Sequence, residues 1–398
     1  MRAFRRASLL AGAAAFGLFF ACGDDDNIVR TRPDGGVVDA AGDTGTTDAG
    51  TGLLACGVPI PTSYESPAFA VNAKAALDLK ASFEALEDKM KSTENANTAV
   101  VTASELQAIF TAGTPSLRAA STAAAQTTVD GWITAYADAM GKTWTPADIA
   151  DAGGDAGGNT GGKYEGTYYF SNVGLDLREA IAKTLLNGAF YNYGLLLSSG
   201  LVTEATIDNL LALFGASTKL LNSTSADAGS DADELVAEYA ALRDSKDPAR
   251  PGPYQKIKRA LLSAKAAAGA GEKCKADLDA ALKVFFAEWE RASYLTVIYY
   301  LNAAATNASA VPPKGPSALH GFGEAIGFIG SFRGVPQDRR KITDAQIDAL
   351  LTRVGAATPY VLVTDTNARI VAFNGAFTDI GAIYGLSPLE IEEAKKAY

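Results

Sequence analysis

The sequence has one histidine and three cysteines in 398 residues. A single histidine excludes a two-histidine zinc helix, and cysteines at 22, 56 and 274 have no zinc-finger spacing. Three cysteines also exclude a disulfide-dense scaffold. Positive charge is scarce: 35 Lys and Arg stand against 45 Asp and Glu, a net charge of −10. Nucleic acid is therefore not an expected partner, because phosphate backbones are held by a basic face. There is no Gly-x-Ser-x-Gly elbow for a nucleophilic serine. The glycine clusters do not sit between a strand and a helix with the lysine that a phosphate loop requires. Strand–helix alternation is missing as well, which argues against a doubly wound sheet.

What is present begins with a membrane-directed front end. Arg2, Arg5 and Arg6 precede an uncharged apolar run at 7–20. That run is shorter than the roughly 20 residues a spanning helix needs, but it suits the core of a signal peptide. Ala21-Cys22-Gly23 follows and is similar to a bacterial lipoprotein signal, with Phe19 where leucine is usual. On this reading residues 1–21 are removed and Cys22 is lipidated, so the membrane is a partner through Cys22. The chain is then exported and lipid-anchored in the cell envelope. The outer membrane is preferred, since Gly23 rather than aspartate follows the cysteine. A short membrane anchor with an incidental cysteine is the alternative. Loss of three arginines takes the net charge from −10 to −13. Residues 22–62 are mostly Asp, Gly, Thr and Ala, too poor in large apolar groups to offset their ordering entropy, and read as a disordered acidic tether. The same composition recurs near 151–166 and 223–232, read as low-complexity surface loops without the ligand spacing of an EF-hand.

Residues 63–398 read as one helical domain. Apolar residues make up 48% of the chain, enough for a core. In the segment 277–305, Leu278, Leu282, Phe285, Trp289, Ala292, Thr296 and Tyr299 recur three or four apart and form one helical stripe. Helices are also expected near 67–91, 103–112, 116–140, 173–197, 203–222, 231–244, 253–268, 317–333, 343–354, 362–384 and 387–397. Thr343 to Gln346 and Ser387 to Glu390 have capping-box spacing. Only 163–170, rich in Tyr and Thr, has strand character and suggests a small hairpin. The expected class is all-α, an antiparallel helical bundle with room for two pseudo-repeated bundles.

Candidate chemistry centres on His320 and Glu324. Four residues apart, they share a helix face and can share a proton or a metal. Gly321, Gly323, Gly327 and Gly330 surround them, and mid-helix glycine costs about 1 kcal/mol relative to alanine, so a close neighbour is implied. Glu288 is the third metal-ligand candidate, with Glu290 beside it. The competing reading is a Glu–His pair satisfied at a packing face, with Glu288 and Glu290 paired to Arg291 or Lys283. A divalent or ferric ion is the cofactor that the first reading requires. Cys56 and Cys274 are the cysteines left after Cys22. An oxidising compartment favours a disulfide between them, and two free thiols are the alternative.

Several segments in order resemble bacterial envelope lipoproteins of the family catalogued as domain of unknown function 4856. They are Glu288-Trp289-Glu290, Tyr300-Leu301-Asn302, His320-Gly321-Phe322-Gly323-Glu324, Lys341-Ile342-Thr343-Asp344 and Ile383-Tyr384-Gly385-Leu386, with 163–191 upstream. That family is distantly similar to the imelysin-type helical lipoproteins, which carry a tighter His-x-x-Glu. The resemblance implies a second His-and-Glu helix in the first half. Here Ala205 and Asn209 occupy those places, so half of a paired site is missing. The reading that follows is a non-catalytic ligand- or metal-binding envelope module. The alternatives are a structural or protein-interaction module and a metal-dependent peptidase.

Overall fold

A computed structural model describes residues 52–95, 100–150, 160–219, 233–245, 247 and 249–396. The signal segment 1–21, Cys22, most of the tether, and the Asp/Ala/Gly-rich stretches 151–159 and 223–232 lie outside them.

In the first half, α1 (Phe69–Asn72) and α2 (Lys74–Asn95) are followed by α3 (Ala103–Thr111), which a Thr102–Glu105 capping box starts. The helix expected over 116–140 is two, α4 (Leu117–Ala120) and α5 (Ala123–Ala139). Ser121 and Thr122 are extended between them. Thr122 caps α5 with its hydroxyl, and its N–H donates to the Gly188 carbonyl at 2.8 Å, so a tertiary bond replaces a helical one. After α6 (Ala147–Ala150), the hairpin pairs β1 (Gly162–Lys163) with β2 (Tyr169–Phe170) in antiparallel register. Next come α7 (Leu177–Leu185), a π-helical turn at Leu186–Tyr191, and α8 (Asn192–Leu197) without a break. The π turn widens the helix to seat Asn187, whose side chain accepts from Trp289 Nε1 at 2.9 Å and donates to Ser331 Oγ at 2.9 Å. The next helix, α9 (Glu204–Phe214), stops at Gly215, which takes the left-handed conformation that favours glycine.

The second half contains α10 (Leu235–Leu242), α11 (Pro253–Ala270), α12 (Lys275–Ala308), α13 (Gly315–Gly330), α14 (Asp344–Val354), α15 (Val361–Thr364), α16 (Thr366–Tyr384) and α17 (Pro388–Ala394). The capping boxes at Thr343 and Ser387 are formed as their spacing predicts. Packing runs from α2 through α3, α5, α7, α13, α12, α11 and α9 back to α2, so the helices close into a ring. The described residues form one compact unit rather than two separable bundles. The fold is all-α with a two-stranded sheet as its only sheet among the described residues. None of their helices is long and apolar enough to cross a membrane.

The longest helix, α12, is the hub. Between Trp289 and Leu301 every residue except Arg291 and Tyr299 is buried, which marks a helix surrounded on all sides. Trp289 packs edge-on against Tyr191 and Phe285, with ring centroids 5.5 Å apart in each pair.

Residues 52–62, read from composition as the end of the tether, lie on the body. A disulfide joins Cys56 to Cys274. The Ala55 and Cys56 N–H groups donate to the two oxygens of Asp277 at 2.9 and 3.0 Å. Just beyond, fully buried Asp208 accepts from Tyr64 at 2.6 Å, Ser66 and Asn72 at 2.7 Å, and Lys265 at 2.6 Å. Four donors on one carboxylate hold the chain's entry to α9 and α11. Composition is a poor guide here because two cysteine and aspartate contacts fasten a segment that has little apolar surface.

Candidate functional site

The α7–α13 contact builds the site. At Gly323 a Cβ would lie 2.8 Å from the Asp176 Cβ, and at Gly327 one would lie 2.8 Å from the Lys183 Cβ and 2.9 Å from the Ala180 carbonyl. These two glycines are therefore needed for one helix to lie directly on the other. Gly321 and Gly330 meet no such restriction. The close approach sets the polar residues of α7 against His320 and Glu324.

Asp176 caps α7 by accepting from the Glu179 N–H at 3.1 Å, and its other oxygen lies 2.9 Å from His320 Nδ1. Lys183 lies 2.8 Å from Glu179 and 3.2 Å from Glu324. Arg178 lies 2.6 Å from Glu179 and 2.9 Å from Glu94, at the end of α2. The Glu94 carbonyl accepts from Lys163 of the hairpin at 2.7 Å. Tyr168, in the hairpin turn, stacks on the imidazole at 4.2 Å and covers it. All of these carboxylates, Arg178, Lys183 and His320 are buried, with side chains 8% exposed or less.

Burial would favour neutral groups here, but the cations and anions are set against one another. Burial disfavours charged His320, yet the hydrogen bond to Asp176 and the charges of Glu179, Asp176 and Glu324 outweigh it and push its pKa up to about 9. Burial likewise opposes charge on Arg178 and Lys183, and their carboxylate neighbours hold both well above their ordinary values. Glu179 goes the other way: burial would raise it, but Arg178 and Lys183 hold it well below the usual carboxylate range. Glu94 is pushed up to about 7, first by burial, against the pull of Arg178, with Asp176 and Glu179 adding to the rise. Its Oε1 has no hydrogen-bond partner among the described residues.

The structure thus brings His320 and Glu324 into one network and leaves Glu288 outside it. Glu288 lies 3.1 Å from Lys256 and 3.2 Å from Arg291. Glu290 is buried elsewhere, holding a loop through the Lys341 and Ile342 N–H groups and the Tyr384 hydroxyl. A divalent cation on His320 and Glu324 would need a neutral imidazole and a carboxylate free of Lys183. Among the described residues, the only three His, Cys, Asp or Glu ligand atoms within 4.8 Å of one another belong to Cys56, Cys274 and Asp277, and both sulfurs are spent on the disulfide. The residues of the His320 cluster do not fit a metal ion. Asn209, in the place where the resemblance implies an acidic ligand, donates to the Asn72 and Ala205 carbonyls and accepts from the Ala76 N–H.

Asp176, Arg178, Glu179, Lys183 and Glu94 were not singled out from sequence. Their signal was modest: an Asp-x-x-Glu start and a Glu–Lys pair four apart. No protein-family model, curated protein or solved structure matches the chain.

Proposed function

We propose that the chain is an exported, lipid-anchored envelope protein of the helical, imelysin-like type, acting as a non-catalytic binding module. Its His320–Glu324 helix serves as an ionic clamp between α7 and α13. One observation carries the non-catalytic part: each candidate ligand or acid–base group already has a protein counterion. His320 has Asp176, Glu324 has Lys183, and Glu288 has Lys256 and Arg291. A general base or metal ligand must be reachable by a substrate or ion, and the His320 and Glu324 side chains are 8% exposed or less, with His320 Nδ1 held by Asp176 and Glu324 beside Lys183. The anchor rests on the signal-like residues 2–22.

Metal analysis of protein purified without chelator, with casein and insulin as test substrates, examines the first part. Substoichiometric metal and no hydrolysis are expected. Stoichiometric metal lost in His320→Ala, or hydrolysis lost in Glu324→Gln, would overturn it. Radiolabelled palmitate examines the second: label should enter the wild type and be absent from Cys22→Ala.

A further inference from the structure

A second concave site lies away from the His320 cluster, between the first half of α12 and the loop preceding α14. Its volume is about 590 Å³, within the range of about 300–1,000 Å³ typical of small-molecule sites. One wall is a face of α12 that presents Leu282, Lys283 and Phe286. The other is the loop segment Arg339-Arg340-Lys341.

The loop is held from behind. Glu290 accepts the Lys341 and Ile342 N–H groups at 2.7 and 2.8 Å, and Tyr191, from the π turn, donates to the Arg339 carbonyl at 2.8 Å. Arg340 turns inward, with its guanidinium donating to the Val335 and Ile342 carbonyls at 2.7 and 3.0 Å. Arg339, which ends a 3-10 turn (Gln337–Arg339), and Lys341 are exposed, and both line the cleft with Arg340 between them.

The result runs against the charge of the chain. Three exposed cations, Lys283, Arg339 and Lys341, converge on one cleft in a protein of net charge −10. Neither Lys283 nor Arg339 has an ion-pair partner within 4.0 Å among the described residues. Of the three acidic residues that also line the cleft, Asp279 is paired with Lys275 and Glu290 holds the loop, which leaves Asp338. Leu282 and Phe286 supply an apolar floor next to the cations.

We propose that this cleft binds a small amphiphilic anion, its phosphate or carboxylate head among Lys283, Arg339 and Lys341 and its apolar part against Leu282 and Phe286. This assigns a ligand class to the binding module, and its failure would leave the metal and hydrolysis tests of that reading untouched.

The test is equilibrium binding of phenyl phosphate, inorganic phosphate and phenol to the full chain, followed by calorimetry or ligand-observed NMR. Phenyl phosphate should bind at least about tenfold more tightly than either half. Arg339→Ala and Lys283→Ala should each weaken it by about tenfold, the worth of one charge-assisted contact. Lys283→Arg should retain binding, and Lys74→Ala, on the exposed face of α2, should leave it unchanged. Both alanine positions are exposed, and an unchanged melting temperature would show that the fold is intact. Inorganic phosphate binding as tightly as phenyl phosphate, equal binding by the alanine variants, or no binding of phenyl phosphate at millimolar concentration would overturn the proposal.

Discussion

Because the chain contains one histidine, the imidazole resonances in an NMR titration report His320 and nothing else. The folded protein should show a pKa near 9, against 6.5 for an unperturbed imidazole. A folded value above the unfolded one stabilises the protein fully below pH 6.5, and the benefit is lost as pH rises through about 9. At about 1.4 kcal/mol per tenfold change, the difference corresponds to about 3 kcal/mol of folding stability. Glu94 acts in the same direction at lower pH, because its folded value of about 7 also lies above its ordinary 4.5. Urea unfolding from about pH 7.5 to about pH 10 therefore isolates the histidine contribution, provided each point is compared with His320→Gln to remove tyrosine and lysine effects. The wild-type stability should fall toward that of the variant across this window. Asp176→Asn should lower the imidazole pKa, since it removes the hydrogen-bonded counterion. An imidazole that titrates at or below 6.5, or a pH profile unchanged by His320→Gln, would refute the ionic-clamp account.

Two further outcomes follow from the same packing. Lys183→Met removes the cation shared by buried Glu179 and Glu324, leaves Glu179 to Arg178, and should cost about 3–5 kcal/mol in urea unfolding, with part recovered on adding Glu324→Gln; a loss below about 1 kcal/mol would mean that Lys183 does not hold the network together. Reduction of the Cys56–Cys274 disulfide, whose cysteines are 218 residues apart, should lower stability by about 2–4 kcal/mol, measured with and without dithiothreitol, and an unchanged midpoint would contradict the bond.

The helices were largely legible because each carries its own instructions. The stripe from Leu278 to Thr296 and the Thr343 and Ser387 caps are local, and the structure places helices there. The failures occur where distant residues decide. Nothing near Thr122 announces that its N–H will bond to Gly188, and nothing near Asn187 announces the Trp289 and Ser331 partners that its π turn serves. The candidate site was half legible for the same reason. Helical spacing sets His320 and Glu324 on one face, but their counterions come from α7, with Asp176 144 residues away from His320. Mid-helix glycines at 323 and 327 signalled a close neighbour without saying whether it was a ligand or a helix. The answer is α7.

The fastening at Cys56 also determines how the protein bears load. Tension on the chain from the N-terminal side meets the sulfur–sulfur bond before it meets α1. The force passes into residue 274, at the foot of α12, and bypasses everything between the two cysteines. Helices α1 and α2 are therefore slack under such a pull and cannot be peeled away one contact at a time. The strain falls instead on the hub helix, whose many neighbours must yield together. Such a pull would load the body at the foot of α12 rather than at α1.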